Sequence, residues 1–365
     1  MVQTPGESEF PNPTLIDVTR GGPPVEPPGA AVPGTGLPDE QPLPRRRRRK
    51  GRIIALVAGS LVLLIVLTFV SLWLYADNSL HRVDAIDDYA GRPAAGAGTN
   101  WLIVGSDSRQ GLSSAQANRL HTGNAQDVSG SRTDTIMLLH LPGNGTKPAM
   151  VSLLRDSYVT IPGHGKDKIN AAFALGGPKL LVRTVEENTG LRIDHYAEIG
   201  LGGFASVVGD VGGVRMCLDQ AVHDPYAGVN LRAGCQTLNG PNALGYVRSR
   251  HAFATSDYAR TEHQRQFIAA LAGKLMSPGV LLNPFRSIPA ILDLPGAVTV
   301  DRGDGLWDLI TLVRHVRHFS SVISTAVPIG GSNGSDLLWD PTKAQELFHD
   351  LNHDQTIPAD LITTQ

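Results

Sequence analysis

The chain is short of several things, and each shortage removes a class of protein. Of its 365 residues only Cys217 and Cys235 are cysteine. Two are too few to staple a small scaffold, and they lack the spacing of metal ligands. There is almost no net charge: 32 basic residues stand against 34 acidic ones, a balance of −2 with neutral histidine. That excludes a uniformly basic nucleic-acid binder. No Gly-Lys-Ser/Thr follows Gly202-Gly203 or Gly212-Gly213, so neither is a phosphate loop; both suit tight turns and close packing. No His-Glu-x-x-His occurs, which leaves a zincin unsupported. Aromatic residues are only 5% of the chain, yet 41% is hydrophobic, enough to build a sizeable core.

What is present falls into three unlike regions. Residues 1–44 hold 11 of the 25 prolines and six glycines, and their few large apolar residues show no period. Such a segment buries too little surface to offset its ordering entropy. A disordered cytoplasmic tail is expected over 1–52, passive or recruiting a partner through its Pro-Pro steps. It ends in Arg45-Arg46-Arg47-Arg48-Arg49-Lys50, with Arg52 just after. Residues 53–75 follow, 23 positions without a charge. At about 1.5 Å per helical residue they span a hydrocarbon core of roughly 30 Å. Trp73 and Tyr75 sit at the far end, where amphipathic rings favour the interface. A signal peptide has a shorter apolar stretch and does not start this far in. Alone, the basic run reads as a nucleic-acid patch; beside a spanning helix it marks the cytoplasmic side. The expectation is a single-pass protein of the cell membrane, N-terminus cytoplasmic, residues 76–365 outside.

The exported part carries 24 basic and 28 acidic residues, so any anion site there is a local cluster. An oxidising compartment permits a Cys217–Cys235 disulfide, worth about 3 kcal/mol for a loop of that length; two separate buried thiols are the alternative. No repeat or long linker divides 76–365, so one domain is expected. Apolar runs at Trp101–Val104, Thr135–Leu141, Met150–Leu154 and Val322–Pro328 read as strands. Helices are expected at Asn170–Glu187 (divided at Gly176-Gly177-Pro178), Thr261–Met276, Leu306–Phe319 and Pro341–Leu351. The class is α/β (α+β): a central mixed sheet flanked by helices, preceded by one transmembrane helix. Pro142–Pro148 has strong turn chemistry, so the strands on either side form an antiparallel pair. The start of the first and the end of the second then share a sheet edge, with Arg132, Asp134, Arg155 and Asp156 on it. If Trp101–Val104 is antiparallel to Thr135–Leu141, Asp107 joins them. A polar crevice at strand ends is where sheet proteins place ligands.

Arginine beside aspartate recurs at these ends. Arginine forks match phosphate oxygens bidentately, and two carboxylates near phosphate make a seat for Mg²⁺. The arginines outnumber the aspartates, so an anionic ligand would complete the balance; loop-bracing ion pairs are the plainer reading of any single pair. If Tyr246–His251 is extended, Arg248 and Arg250 point to one face and repel each other unless an anion bridges them. Gln264 extends the stripe of Phe267, Ile268, Leu271 and Leu275, or else it is the capping-box partner of Thr261. Arg260 falls near that helix's N-terminus, where phosphate is favoured. Lys168 is within reach of a phosphate or is simply solvated. His195 has no visible partner and reads as structural.

In order, from about Asn100 to Met276, the chain carries Gly-Ser-Asp-Ser-Arg, Arg-Thr-Asp-Thr-Ile-Met-Leu, Arg-Asp-Ser-Tyr-Val and Lys-Ile-Asn-Ala-Ala. Gly-Gly-Val, Leu-Asn-Gly-Pro-Asn-Ala-Leu, Arg-Ser-Arg and Asp-Tyr-Ala-Arg follow. The ordered set resembles the LytR-CpsA-Psr family of bacterial envelope proteins, and the Gly-, Ala-, Pro- and Arg-rich composition suits an actinobacterium. The resemblance implies a membrane-anchored phosphotransferase. Such an enzyme moves a glycopolymer from an undecaprenyl-pyrophosphate carrier to peptidoglycan, usually a muramic acid 6-hydroxyl, with Mg²⁺, leaving a phosphodiester. By block matching Asp107 and Asp134 would hold Mg²⁺, while Arg132, Arg155, Arg248, Arg250, Arg260 and Gln264 would grip phosphate oxygens. It also implies an apolar tunnel for the polyprenyl chain; a packed core is the other reading of the same helix faces. The chain departs from the family pattern in having Leu153-Leu154 before the Arg-Asp pair, His263 where a second helix arginine is common, and a long polar loop over 110–130. Two other functions use the same cations: a non-catalytic polyprenyl-phosphate-binding regulator, and a hydrolase of the lipid pyrophosphate.

Overall fold

The computed structural model describes residues 47–108, 112–122, 133–249, 256–316 and 322–362, without the side chains of 47–49 and 256–262. By its internal packing the chain divides inside the first helix, after Ser60, and the second unit, Leu61–Gln365, carries the sheet and the helices around it. The strands, in chain order, are β1 (His81–Val83), β2 (Thr99–Ser106), β3 (Thr133–Leu141), β4 (Ala149–Ser152), β5 (Tyr158–Ile161), β6 (Gly165–Lys168), β7 (His195–Gly200), β8 (Val214–Leu218), β9 (Val222–Asp224), β10 (Val229–Leu231), β11 (Gly234–Leu238), β12 (Val298–Asp301), β13 (Ile323–Ala326), β14 (Ile329–Asn333) and β15 (Asp336–Trp339). The helices are α1 (Arg47–Asn78), α2 (Ser114–Arg119), α3 (Ile169–Thr189), α4 (Leu201–Asp210), α5 (Gly240–Arg248), α6 (Ser256–Leu275), α7 (Pro278–Leu281), α8 (Pro284–Ala297), α9 (Leu306–Val316) and α10 (Pro341–Asn352).

The uncharged run forms α1, which over Lys50–Asn78 is long and apolar enough to cross a membrane, with its apolar side chains exposed. The helix then gives way to the domain without a loose linker: Ala76 and Leu80 are buried, and Asp77 accepts the Leu306 N–H at 2.8 Å and pairs with Arg82 at 3.0 Å.

Seven strands form the central mixed sheet, in the order β1-β12-β7-β2-β3-β4-β13. β2 is antiparallel to β3, β3 to β4, and β2 is parallel to β7, so the C-terminal ends of β2, β4 and β7 share an edge with the start of β3. Along β2, Leu102 and Val104 join one core cluster and Trp101 the other, all nearly inaccessible. That is the pattern of a strand covered on both faces. Each such buried aliphatic side chain stabilises the fold by roughly 1.5–3 kcal/mol. Parts of α3 and α10 cover one face, and α9 with the end of α1 the other. A further core joins α4, α5, α6 and α8 to the hairpins β8–β11 and β9–β10. Cys217 and Cys235 are register partners across β8 and β11 and form a disulfide.

The glycine pairs behave as their chemistry dictates. Gly177, at φ 66°, breaks α3 just before Pro178, at the place expected for a division. A Cβ on Gly203 would collide with the Ala297 carbonyl, so its lack of a side chain lets α4 approach the end of α8. Two expectations are corrected. Tyr246–Arg248 is helical, not extended: Asn239 caps α5 by accepting the Asn242 N–H at 3.0 Å, and Pro241 stands in its first turn. The following helix, α6, begins at Ser256 rather than Thr261. Thr261 is therefore not an N-cap, and Gln264 has no capping box to complete. In the polar loop after Asp107, Ser113 and Gln116 form a capping box on the short α2.

Candidate functional site

At the shared sheet edge, Thr135 pairs with Gly105 and Thr133 with Ser106, so Asp134 is the extra residue of a β-bulge. Bulges bend a strand and re-aim a side chain. Asp134 is thereby turned toward Arg155, whose Nη1 donates to its Oδ1 at 2.8 Å. Arg155 is held from behind by α3: the Asn170 N–H donates to the Arg155 carbonyl at 3.3 Å and the Ile169 N–H to that of Ser157 at 2.8 Å. Its Nε also donates to Asp156 at 3.3 Å. Lys168 precedes α3 and reaches the same carboxylate at 2.8 Å, with Ser335 Oγ at 3.0 Å and Asp336 at 3.8 Å. Asp107 stands one residue beyond Ser106, the register partner of Thr133. Asp107, Asp134, Arg155 and Lys168 thus meet at one edge.

The side chains fit the divalent ion that the resemblance implies. Asp107 and Asp134 stem from neighbouring strand ends and are hard oxygen donors, and Mg²⁺ takes one or two carboxylates together with substrate oxygens and water. Among the described residues no group of three or more His, Cys, Asp or Glu side chains that could hold a metal ion is found.

Arg248 ends α5, and its Nη1 lies 3.4 Å from the carbonyls of Leu120 and His121, at the C-terminal turn of α2. His121 there has φ 49°, a left-handed conformation uncommon outside glycine. Gln264 is buried and donates from Nε2 to the Val247 carbonyl at 3.0 Å, fixing α6 to the residue before Arg248. Its stripe reading stands, since Phe267 and Leu271 are buried below it. Arg260 lies in the second turn of α6 rather than at its N-terminus. Its side chain, with Arg132 and Arg250, lies outside the described residues. Within them, Arg155 and Lys168 face Asp134, Asp156 and Asp336.

Some residues of the edge gave no sequence signal. Ser106 and Thr133 are paired across β2 and β3, buried, with hydroxyls that make no hydrogen bond. Arg265 is buried in α6. His195, as expected, is structural: it stacks on Trp101 with centroids 4.4 Å apart and bonds Asp304, which also accepts the Tyr196 N–H. Burial acts to lower its pKa, but the hydrogen bond and charge of Asp304, with Asp308 and Asp194 behind, hold it above the ordinary histidine value. Gly330-Gly331-Ser332-Asn333-Gly334 has the spacing of a hydrolase nucleophile elbow but runs through β14 into a hairpin turn, not from a strand into a helix.

The LytR_cpsA_psr family model matches residues 76–346. A probable cell wall biosynthesis protein, LcpB of Corynebacterium glutamicum, is 49% identical over 302 residues, 82% of this chain and 70% of its own length. The chain spans about half the length of two further curated relatives. A LytR-Csp2A-Psr enzyme from Actinomyces oris has a like fold, with TM-score 0.58 and 23% identity over 75% of this chain and 96% of that one. TagT of B. subtilis, also solved bound to LI-WTA, gives TM-score 0.52 at 25% identity over 74% and 95% of the two chains. With a family model spanning most of the domain and a relative identical at 49% of 302 aligned residues, the ordered motifs and the sheet that gathers them have one source: the chain belongs to the LytR-CpsA-Psr family.

Proposed function

We propose that this protein is a membrane-anchored phosphotransferase that moves a glycopolymer from a polyprenyl-pyrophosphate carrier to peptidoglycan. The observation that carries the reading is the gathering of Asp107, Asp134, Arg155 and Lys168 at one sheet edge, two carboxylates and two cations from four separate segments. The relatives named for cell wall biosynthesis and the neighbour solved with LI-WTA support it. The domain lies outside the membrane, as the basic run before α1 argues.

In this reading a hydroxyl of the acceptor glycan attacks the phosphorus that bears the polymer. A new P–O bond forms there, and the bond from that phosphorus to the bridging oxygen breaks. Polyprenyl phosphate leaves with the bridging oxygen and the electron pair. Asp107 takes the hydroxyl proton. Arg155 and Arg248, with Arg132, Arg250 and Arg260, hold the non-bridging oxygens, and Gln264 positions Arg248 through Val247. Asp107 and Asp134 would hold Mg²⁺, which when bound neutralises charge on the pyrophosphate and on the leaving phosphate. Neutralising that charge is the main task in phosphoryl transfer.

The test is reconstitution of the full chain in lipid nanodiscs with a polyprenyl-pyrophosphate-linked saccharide, Mg²⁺ and peptidoglycan. The expected products are a saccharide joined to the glycan by a phosphodiester, and polyprenyl phosphate, both read by mass spectrometry. Release of free saccharide phosphate with or without peptidoglycan would make the protein a hydrolase. Binding without turnover would make it a lipid-binding regulator.

A further inference from the structure

We propose that the groove bounded by β5, the C-terminal end of α3, β15 and α10 is a saccharide subsite that continues the charged sheet edge. Its volume is about 560 Å³, within the span of roughly 300–1,000 Å³ usual for ligand pockets. Tyr158, Trp339 and Phe348 give it aromatic walls; Gln345, Asn352 and Lys166 give it polar ones. Trp339 and Phe348 are tilted against each other with centroids 5.6 Å apart, and Tyr158 is exposed at the rim. No acidic residue lines the groove among those described.

The lining selects a ligand by chemistry. A basic peptide would find no carboxylate there. A strongly anionic polymer would find one lysine. A sugar chain offers apolar ring faces to aromatic walls and hydroxyls to amides. One polar atom of the lining residues makes the same point. The Trp339 Nε1 is a buried donor without a hydrogen-bond partner. A sugar hydroxyl accepts from such a donor. Water does not reach the indole nitrogen where it stands, so the hydroxyl reaches it with a tilt of the ring, and the indole reports the event.

The groove is joined to the site. The Leu337 N–H donates to the Asp156 carbonyl at 2.9 Å, and Lys168 touches Ser335 and Asp336 at the start of β15. Trp339 is three residues along that strand, about 10 Å away at the usual rise. On the other wall Tyr158 follows Arg155 by three residues. A saccharide in the groove therefore extends from a phosphate held at the sheet edge. In that respect the inference rests on the transfer reading; binding in the groove itself is measurable without turnover.

The test uses the full chain in nanodiscs, with chitotetraose and mannotetraose as probes followed by tryptophan fluorescence and saturation-transfer NMR. Saturable binding of at least one probe is expected. Affinity should fall tenfold or more in the double variant Tyr158→Ala, Gln345→Ala with an unchanged melting temperature, and persist in Arg155→Ala. The fluorescence change should vanish in Trp339→Phe. In turnover, a raised KM for the glycan acceptor in the double variant assigns the groove to the acceptor, and a raised KM for the lipid-linked donor assigns it to the polymer. No binding of either probe, together with unchanged KM values, overturns the proposal. Probe binding by a protein that performs no transfer leaves the subsite standing and overturns the transfer reading instead.

Discussion

Replacing Arg155 by alanine separates a binding role from a bracing one by magnitude. In the structure Arg155 is 23% exposed and its partner Asp134 is 51% exposed. An ion pair so open to solvent is screened, and its removal costs only about 0–1 kcal/mol of stability. The contact to Asp156, at 3.3 Å, adds little, because Lys168 still pairs that carboxylate at 2.8 Å. If Arg155 instead steadies phosphate charge as it develops, its loss removes a donor aimed at the transition state, worth about 3–4 kcal/mol, or roughly 10²–10³ in kcat. The prediction is therefore a near-normal chemical denaturation midpoint with turnover down at least a hundredfold. Arg155→Lys restores the charge but not the fork and should recover only part of the loss. Single-turnover release of polyprenyl phosphate, measured beside denaturation of the same preparations, reads both quantities. A variant that loses more than about 2 kcal/mol while turning over at a normal rate per folded molecule would refute the reasoning.

Reducing the Cys217–Cys235 disulfide, or replacing both residues by serine, should cost on the order of 3 kcal/mol in denaturant unfolding. Gly203→Ala should destabilise the domain by about 1–3 kcal/mol, because the added methyl meets the Ala297 carbonyl and α4 must move from α8; a melting temperature at the wild-type value would contradict that contact. His195 titrates above the ordinary histidine value, so its pairing with Asp304 contributes stability in full below about pH 6.5 and loses it as pH rises through the elevated folded value. His195→Gln should remove that part of the pH dependence. The comparison with wild type cancels the opposite contribution of His140, whose burial outweighs Asp354 and lowers its pKa, so that it destabilises the fold as pH falls.

The edge that gathers the charges was legible because its causes are local. Apolar runs of strand length, a turn of Pro142–Pro148 chemistry and an antiparallel consequence place Asp107, Asp134 and Arg155 together, and β2, β3 and β4 have that arrangement. The break in α3 was legible for the same reason. The alternation of Arg-Ser-Arg suggests an extended segment at Arg248; the stronger signal, Asn239-Gly-Pro as a helix start, lies nine residues upstream. Long-range partners left no trace in sequence. Asp304 holds His195, and Asp354 with Asn100 brackets His140, across separations of over 100 residues except for Asn100. The saccharide groove was equally invisible, since β5, α3, β15 and α10 meet only in the folded domain. The bulge at Asp134 depends on a one-residue mismatch between two strands, which neither strand encodes alone.

The central claim is that the charged edge grips a lipid-borne diphosphate, and native mass spectrometry of the full chain released from its own membrane tests it most directly. Wild-type protein should carry a mass increment of a polyprenyl phosphate or pyrophosphate, with or without sugars, and a variant with both Arg155→Ala and Arg248→Ala should be folded and lack it. The same lipid on both proteins, or only bulk phospholipid on either, would contradict the account.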